Sequence, residues 1–184
     1  MSVEITGGRL LVASPLLGDP NFHRTVVLLL DHGDEGAFGV VLNRPLEVEV
    51  DAVLPGWQDV VSVPRGLFQG GPVGLDGAIG VAVAADEPSV FVDSLAGPFG
   101  LVDLDADPEP LVGRFVGLRI FAGHSGWGAG QLEDEVGEGA WFVVPALARD
   151  AFDADPETLW SRVLRRQGGD LAMLAHFPTN TALN

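Results

Sequence analysis

Short apolar runs bounded by turn-forming residues dominate the first part of this chain, and they limit the folds that it can adopt. The runs at 9–13 (RLLVA), 25–30 (TVVLLL) and 39–43 (GVVLN) are too short for typical amphipathic helices and are typical of strands. The polar segment DHGDEGAF at 31–38 lies between two of these runs and is predicted to be a turn. Residues 25–43 are therefore predicted to form a β-hairpin.

Further strand candidates follow without the regular strand–helix alternation of a parallel sheet. Residues 44–55 alternate acids with valines, which indicates an extended segment with one solvated face, leading into a short helix that Pro55 ends. The other short apolar runs, also predicted as strands, are 67–69, 78–84, 90–93, 99–104, 114–122 and 140–144. Because strands dominate the first two thirds of the chain, the pattern favours an α+β fold over a doubly wound sheet.

Helix signals gather towards the C-terminus. Asp155 is a candidate N-cap, and Pro156 takes the first helical position, where its missing N–H costs nothing. The glycines at 168–169 are predicted to end this helix. Asp170 is then placed to cap a short last helix at 171–176.

The charge of the chain narrows its possible partners. There are 26 acidic residues and 10 basic ones, which gives a formal net charge of −16. Such a surface repels phosphate backbones, so nucleic acid is an unfavourable partner. The one basic cluster, Arg162, Arg165 and Arg166, is small against this charge.

Length and residue usage set further limits. With 184 residues the chain is predicted to form a single domain over 1–184. Cysteine is absent, which excludes disulfides, thiolate catalysis and cysteine-bound zinc. The N-terminal residues lack the pattern of a signal peptide, and the longest purely aliphatic run, Val26 to Leu30, is too short to cross a bilayer. We therefore expect a cytoplasmic protein with no membrane partner.

The segment RIFAGHSGWGAGQLEDEV at 119–136 places Ser125 between a predicted strand and a predicted helix. This is the context of a serine nucleophile in the G-x-S-x-G elbow of α/β-hydrolases. However, Trp127 stands where the elbow needs a glycine, and only His176 follows downstream as a triad histidine. The alternative is that Ser125 caps the helix by accepting a hydrogen bond from a backbone N–H.

A second feature of this segment is a row of polar and aromatic side chains. Trp127, Gln131 and Glu135 are spaced four residues apart, so on a helix they share one face. This face is distinct from an apolar stripe of Ala129, Leu132 and Val136. Such a row predicts a groove that binds a ligand or partner. A half-buried tryptophan beside solvated polar groups remains the alternative.

Other polar residues are weaker candidates. Asn43 and Arg44 follow the predicted hairpin, where Asn43 is interpreted as a turn former and Arg44 as one half of an ion pair. The four histidines, 23, 32, 124 and 176, show no zinc-ligand spacing. The sequence therefore predicts no metal and no cofactor. The full candidate binding set is Asn43, Arg44, Gly123, His124, Ser125, Trp127, Gln131 and Glu135.

Taken in order, the motifs resemble a known family. GRLLVASPLLGDPNFHRTVVLLLDHGDEGAFGVVLNRP, GGPV, GHSGWGAGQLEDEVGEGAWFVVPA and DPETLWSRVLRRQGG together resemble the AlgH/YqgE-like family of bacterial proteins. The resemblance covers nearly the whole chain. It implies an α+β domain whose mixed, largely antiparallel sheet curls into a pseudo-barrel with peripheral helices, and it implies no particular chemistry.

Three function hypotheses remain. The first is a non-enzymatic binding or regulatory domain that meets a small molecule or a protein partner at the row around Trp127. The second is a serine hydrolase that uses Ser125. The third is a transcriptional regulator, a label attached to the family that the net charge disfavours. The sequence does not indicate an oligomeric state.

Overall fold

The computed structural model describes residues 4–86 and 90–178, which form a mixed sheet with helices packed on it. The strands are β1 (Leu10–Ala13), β2 (Val26–Gly33), β3 (Gly36–Val41), β4 (Phe68–Gln69), β5 (Val73–Ala84), β6 (Asp93–Ser94), β7 (Phe99–Val102), β8 (Phe115–Gly128) and β9 (Trp141–Val144). The α-helices are α1 (Gln131–Gly137), α2 (Leu159–Gln167) and α3 (Gly169–Leu174). Short 3-10 turns occur at Val50–Ala52, Glu109–Leu111, Ala148–Phe152 and Pro156–Thr158.

The sheet has the strand order β6-β7-β5-β8-β3-β2-β1-β9, and β4 lies off this path. The β4–β8 pair is parallel, whereas every other described pair is antiparallel. Strand β8 pairs with β5 along its first part and with β3 along residues 125–128. One long strand therefore joins both halves of the sheet, which curls into a half-barrel.

Side chains alternate between the two faces of the sheet, and the buried ones form three separate cores. One core packs Trp57 and Val61 against Ala82 and Ile120. On one face, Leu10 and Leu28 pack with Trp160 and Val163 of α2. The Trp160 indole N–H also donates to the Ala13 carbonyl at 2.8 Å, so α2 is bonded to the sheet as well as packed on it. On the other face, the buried residues are Leu11, Ala13, Val27, Leu29, Val41, Trp127, Leu132, Trp141 and Val143.

The hairpin is confirmed, but its turn is shorter than predicted. Strands β2 and β3 extend into the segment 31–38, so that only Asp34 and Glu35 separate them. Strand β5 likewise begins at Val73, five residues before the predicted start. The predicted strand at 99–104 ends at Val102, and that at 90–93 is seen only as β6.

The glycine-rich segment 123–128 is strand rather than the start of a helix. Its backbone pairs with β3, with Ser125 opposite Gly39 and Trp127 opposite Ala37. This pairing supplies partners for backbone groups that a loop would leave to water. The helix predicted between 126 and 137 therefore begins only at Gln131.

The C-terminal helices follow the sequence signals with two differences. Pro156 opens a 3-10 turn, and α2 continues from Leu159. The Asp155 carboxylate accepts a hydrogen bond from the Thr158 hydroxyl at 2.9 Å rather than from a backbone N–H. Asp170 lies inside α3, which begins at Gly169, so its predicted capping role is wrong.

Two glycines allow the backbone at 70–71 to lie directly against β8. A side-chain Cβ on Gly70 would lie 2.4 Å from the Gly123 carbonyl oxygen, and one on Gly71 would lie 2.2 Å from the His124 carbonyl oxygen. Gly71 also has φ +156°, a conformation that other residues rarely adopt. Glycine is therefore required at this contact between two chain segments.

We expect Gly71→Ala to lower the free energy of unfolding by about 2 kcal/mol or more, since it adds both a backbone clash and strain. The matched control is Gly126→Ala, because nothing lies within 4 Å of a Cβ there. Alanine in a strand interior is favoured over glycine, so the control should be neutral or stabilising. Urea unfolding followed by tryptophan fluorescence measures both. Equal losses in the two variants would contradict the close approach at Gly71.

Candidate functional site

Ser125 is a buried strand residue. Its side chain is fully enclosed, and its hydroxyl donates to the Gly70 carbonyl oxygen at 3.0 Å. The residue at the N-cap of α1 is Gly130, in a left-handed conformation, so the predicted capping role of Ser125 is wrong. The hydrogen bond joins β8 to the glycine pair at 70–71 and leaves the hydroxyl no exposure to a substrate.

The two residues before Ser125 also have structural contacts. Gly123 has φ +73°, and a Cβ there would lie 2.6 Å from the Gly71 carbonyl oxygen. The His124 ring stands edge-on to Phe38, with 6.2 Å between the ring centroids. Neither arrangement brings an imidazole nitrogen to the Ser125 hydroxyl, whose bond in the described part of the chain is to Gly70.

The side chains of Trp127, Gln131 and Glu135 are joined by hydrogen bonds, although Trp127 lies in strand β8 and not on a helix. The Trp127 indole N–H donates to Glu135 Oε1 at 3.3 Å, and the Gln131 amide donates to Glu135 Oε2 at 2.9 Å. Gln131 Oε1 in turn accepts from the Gly128 backbone N–H at 2.9 Å. The chain turns from β8 into α1 between these residues, and this turn rather than a shared helix face brings them together.

Trp141 of β9 is a member of this network that the sequence reasoning missed. Its indole N–H donates to the same Glu135 Oε1 at 3.1 Å. Trp127 and Trp141 stand edge to face, with ring centroids 5.9 Å apart, and Phe22 contacts both rings. Trp141 stands opposite Ala13 of β1 in the sheet, a long-range pairing that residue spacing along the chain does not reveal.

This network is closed packing rather than an open groove. Trp127 is 6% exposed and Trp141 is 1% exposed. Each buried indole N–H needs an acceptor, and the Glu135 carboxylate supplies one to both. The contacts therefore attach α1 to the sheet, while Gln131 and the edge of Glu135 remain at the surface.

Asn43 and Arg44 brace a loop instead of lining a site with Trp127. Asn43 accepts from the Val26 N–H at 3.0 Å and donates to the Arg24 carbonyl at 2.9 Å. Arg44 donates to the carbonyls of Asn21 at 2.6 Å and His23 at 3.2 Å. The predicted ion pair of Arg44 is thus replaced by carbonyl contacts.

Electrostatics at Arg44 agree with this bracing role. Burial lowers the pKa of the guanidinium, and the charge of Asp19 opposes that effect without a direct contact. The braced loop, 19–24, presents Phe22 to the two tryptophans. It therefore lies between Arg44 and the network around Glu135.

A cleft of about 830 Å³ lies beside the turn that joins β8 to α1. It is formed by the N-terminal segment, the tip of the β2–β3 hairpin and the start of α1. The lining residues are Glu4, Ile5, Thr6, Gly7, His32, Gly33, Asp34, Gly130 and Glu133. The sequence reasoning named none of these as binding residues, since no motif links segments so far apart.

One contact crosses between two of these segments. The His32 imidazole Nε2 hydrogen-bonds to the Glu133 carboxylate, which ties the hairpin tip to the first turn of α1. This hydrogen bond is the main cause of a lowered pKa at Glu133. Glu4 and Asp34 are exposed at the same cleft, so its polar surface is acidic apart from His32.

Two of the three clustered arginines are used in ion pairs within the fold. Arg162 binds Asp153 through two bonds of 2.9 and 2.7 Å, and Arg166 binds Asp150 through two bonds of 2.9 and 2.8 Å. Asp150 is 2% exposed. This use leaves little positive surface for a phosphate backbone, which must be neutralised by free cations.

The described residues contain neither a candidate metal site nor a membrane-spanning helix. Between 4 and 86 and between 90 and 178, no group of three or more His, Asp or Glu side chains is placed to hold a metal ion. No helix in these ranges is long and apolar enough to span a membrane.

Sequence comparisons place the chain among similar bacterial proteins. The profile of the family described as AlgH-like matches residues 10–172. A UPF0301 protein of Streptomyces avermitilis is 55% identical over 182 residues, which cover 96% of this chain and 94% of the relative. A UPF0301 protein of Mycobacterium tuberculosis is 43% identical over 185 residues, with 98% and 92% covered.

Solved structures agree with these matches. A crystal structure of a protein from Corynebacterium diphtheriae has a TM-score of 0.89 at 35% identity, covering 96% of this chain and 95% of that one. The solution structure of the AlgH protein from Pseudomonas aeruginosa has a TM-score of 0.69 at 27% identity, covering 98% and 100%. The α+β half-barrel fold and the resemblance drawn from the motifs are both confirmed.

Glu135→Ala is expected to lower the free energy of unfolding by about 2–4 kcal/mol, because it leaves two buried indole donors without an acceptor. Glu135→Gln keeps one carbonyl oxygen for the indoles but sets two amide groups against each other, so about 1 kcal/mol is expected. Urea unfolding measures both variants, and Glu138→Ala at the other end of α1 is the control. A Glu135→Ala variant as stable as the control would contradict the network.

The Asp153–Arg162 pair should give a defined pH dependence. Burial alone would raise the pKa of Asp153, but the hydrogen bond from Arg162 leads the effects that together lower it. A lowered pKa means that the stabilisation is complete above the unfolded value of about 3.9 and is lost as the pH falls through the folded value.

Wild type should therefore be more stable than Asp153→Asn by about 1 kcal/mol at neutral pH, and this difference should shrink below about pH 4. Chemical unfolding across a pH series measures it. The exposed Asp170→Asn is the control and should show a small difference at every pH. A difference for Asp153→Asn that grows with acid would contradict the assignment.

Proposed function

This chain belongs to the AlgH-like family, and we propose that it is a non-enzymatic binding domain. Its ligand would occupy the cleft at the turn between β8 and α1. The observation that carries the proposal is the cleft of about 830 Å³, where polar side chains from three separate chain segments converge. A concave site with a few converging polar groups is the usual form of a small-molecule site.

The lining of the cleft favours a ligand with positive charge or several hydrogen-bond donors. Glu4, Asp34 and Glu133 contribute carboxylates, and His32 is the one nitrogen-bearing side chain among the lining residues. Within 4–86 and 90–178 no lysine or arginine lines the cleft, and the whole chain carries a net charge of −16. The three carboxylates would repel an anionic ligand.

The contact between His32 and Glu133 makes the cleft a preorganised site. It adds a direct bond between the hairpin tip and α1, which the sheet already holds, so a ligand has less to order when it binds. The network of Glu135 with Trp127 and Trp141 fixes the same helix from behind. In this proposal the predicted row around Trp127 holds α1 against the sheet, and the ligand contacts the residues that line the cleft.

The two alternative functions lack such support. A hydrolase would need the Ser125 hydroxyl, which is buried and donates to Gly70. A regulator that contacts DNA would need cations such as Arg162 and Arg166, which are paired with Asp153 and Asp150. We therefore propose that any regulatory action proceeds through a bound small molecule or protein. We also propose a cytoplasmic, single-domain protein over 1–184.

The test is a chemical-shift titration of the full chain, labelled with ¹⁵N, against a defined set of probes. The cations are spermidine, arginine amide and choline, and the anions are phosphate and citrate. We expect at least one cation to shift the backbone amides of Thr6, Asp34 and Gly130 in a saturable way, and the anions to leave them unchanged.

A double variant, Asp34→Asn with Glu133→Gln, removes two charges from the cleft and should weaken cation binding by about tenfold. The control, Glu138→Gln with Glu157→Gln, removes two exposed charges elsewhere and should change binding by less than about twofold. The proposal fails if no cation shifts these amides, or if the two double variants weaken binding equally.

A further inference from the structure

A second concavity, of about 470 Å³, lies over the face of β5 and β7 beside the residues that follow the 3-10 turn at Val50–Ala52. Its apolar floor lies on the side of the sheet that also packs against Trp57, where Ala78, Val102 and Leu104 line it. Ile79 and Leu101 line the groove from the same strands, with their side chains packed on the opposite, α2 side. Leu104 packs directly on the backbone of Gly80, where a Cβ would lie 2.8 Å from Leu104 Cδ2. We call this concavity the aspartate-rimmed groove.

Two valines stand at the walls of the aspartate-rimmed groove with most of their surface in water. Val53 is 56% exposed and Val92 is 65% exposed. The neighbouring faces of the sheet are covered by α1, by α2 or by the segment around Trp57, whereas in the described part of the chain these valines remain uncovered. Clustered exposed apolar side chains with a polar rim mark a surface that binds another molecule.

The rim of the groove carries one sign of charge. Asp76, Asp103 and Asp105 are exposed and line it, and among the residues that the structure describes no lysine, arginine or histidine does. The bend that holds two of them is fixed, because the Asp103 carboxylate accepts the Asp105 backbone N–H at 3.0 Å. An occupant must therefore bring positive charge to the rim and apolar side chains to the floor.

These two requirements select among the possible occupants. A second copy of this chain carries the same net charge of −16 and the same rim, so electrostatic repulsion opposes it. Nucleic acid is repelled for the same reason. A small hydrophilic cation would leave the apolar floor in contact with water.

We propose that the aspartate-rimmed groove binds a cationic amphipathic helix of a partner protein. The backbones of β5 and β7 already bond to each other in the sheet, so the groove offers a face of side chains and not a free strand edge. A helix suits such a face, because its apolar residues recur at i, i+3, i+4 and i+7 along one side. Lysines or arginines beside that stripe then reach the three aspartates.

The proposal is independent of the small-molecule cleft, since the two sites share no lining residue. It is tested with a fluorescein-labelled peptide of about 18 residues, five helical turns, built from leucine, alanine and lysine in that spacing. Two further peptides are the same sequence with glutamate for lysine, and the same composition scrambled. Fluorescence anisotropy measures affinity, and ¹⁵N shifts locate the peptide.

The cationic amphipathic peptide is expected to bind and to shift the amides of Ile79, Leu101 and Leu104. The glutamate peptide should not bind, and the scrambled peptide should bind about tenfold more weakly. The triple variant Asp76→Asn, Asp103→Asn, Asp105→Asn should weaken binding of the cationic peptide by about tenfold. Its matched control, Glu47→Gln, Glu157→Gln, Asp170→Asn, makes the same change in net charge and should weaken binding less than about twofold.

The apolar part of the proposal has its own pair of variants. Val53→Thr with Val92→Thr keeps the side-chain shape and should weaken binding several-fold. Val112→Thr with Val116→Thr replaces two other exposed valines, 63% and 71% exposed, and should have no effect. The two valine variants and the two triple acidic variants all change surface residues, and circular dichroism checks that each is folded.

Several results would overturn the proposal. One is an equal loss of affinity in the triple aspartate variant and in its matched control, since that would be attraction to net charge alone. Another is a set of shifts confined to the cleft at Thr6 and Asp34. A third is concentration-dependent self-association in sedimentation that Val53→Thr with Val92→Thr abolishes, because the groove would then be an interface between copies of this chain.

Discussion

Strand β8 holds the two halves of the sheet together, because it pairs with β5 along one edge and with β3 along the other. Its fourteen residues join the half of the sheet around β5 to the half around β3, and the glycine pair at 70–71 closes against its middle. Backbone pairing of this kind needs close approach, which explains the glycines at 71 and 123 better than any catalytic turn does. The Ser125 hydroxyl, bonded to Gly70, belongs to the same junction.

Buried polar contacts extend this junction outwards, and most of them use the few cations that the chain has. Arg119 is 1% exposed, stacks on Phe68 and donates to the Val63 carbonyl at 2.7 Å, and burial lowers its pKa to about 10. Arg44, Arg162 and Arg166 likewise bind groups of the chain itself. An acidic protein that uses its arginines internally presents an even more acidic surface. That surface favours cationic ligands and partners and opposes nucleic acid.

Local sequence signals were sufficient where local structure decides. The hairpin, the helix after Pro156 and its end at Gly168 follow from apolar runs and cap residues. The prediction of a turn at 123–128 is wrong, because this segment becomes a strand by pairing with β3, almost ninety residues earlier. Its glycine-rich sequence alone is typical of a turn. Trp127, Gln131 and Glu135 were correctly grouped for the wrong geometric reason. Trp141, His32 and Glu133 were missed because only the sheet brings their segments together.

Residues 123–128 form part of strand β8, which supports the surface sites, and they are not an accessible functional turn. Native-state amide hydrogen exchange, read residue by residue by NMR, tests this strand pairing most directly. The amides of 125–128 that bond to β3, which alternate along the strand, should exchange only through global unfolding, with the full free energy of unfolding as their protection. Amides at the cleft, such as Asp34 and Gly130, should exchange through local opening. Rapid exchange of every amide in 125–128, comparable to that of Asp34, would contradict this strand pairing.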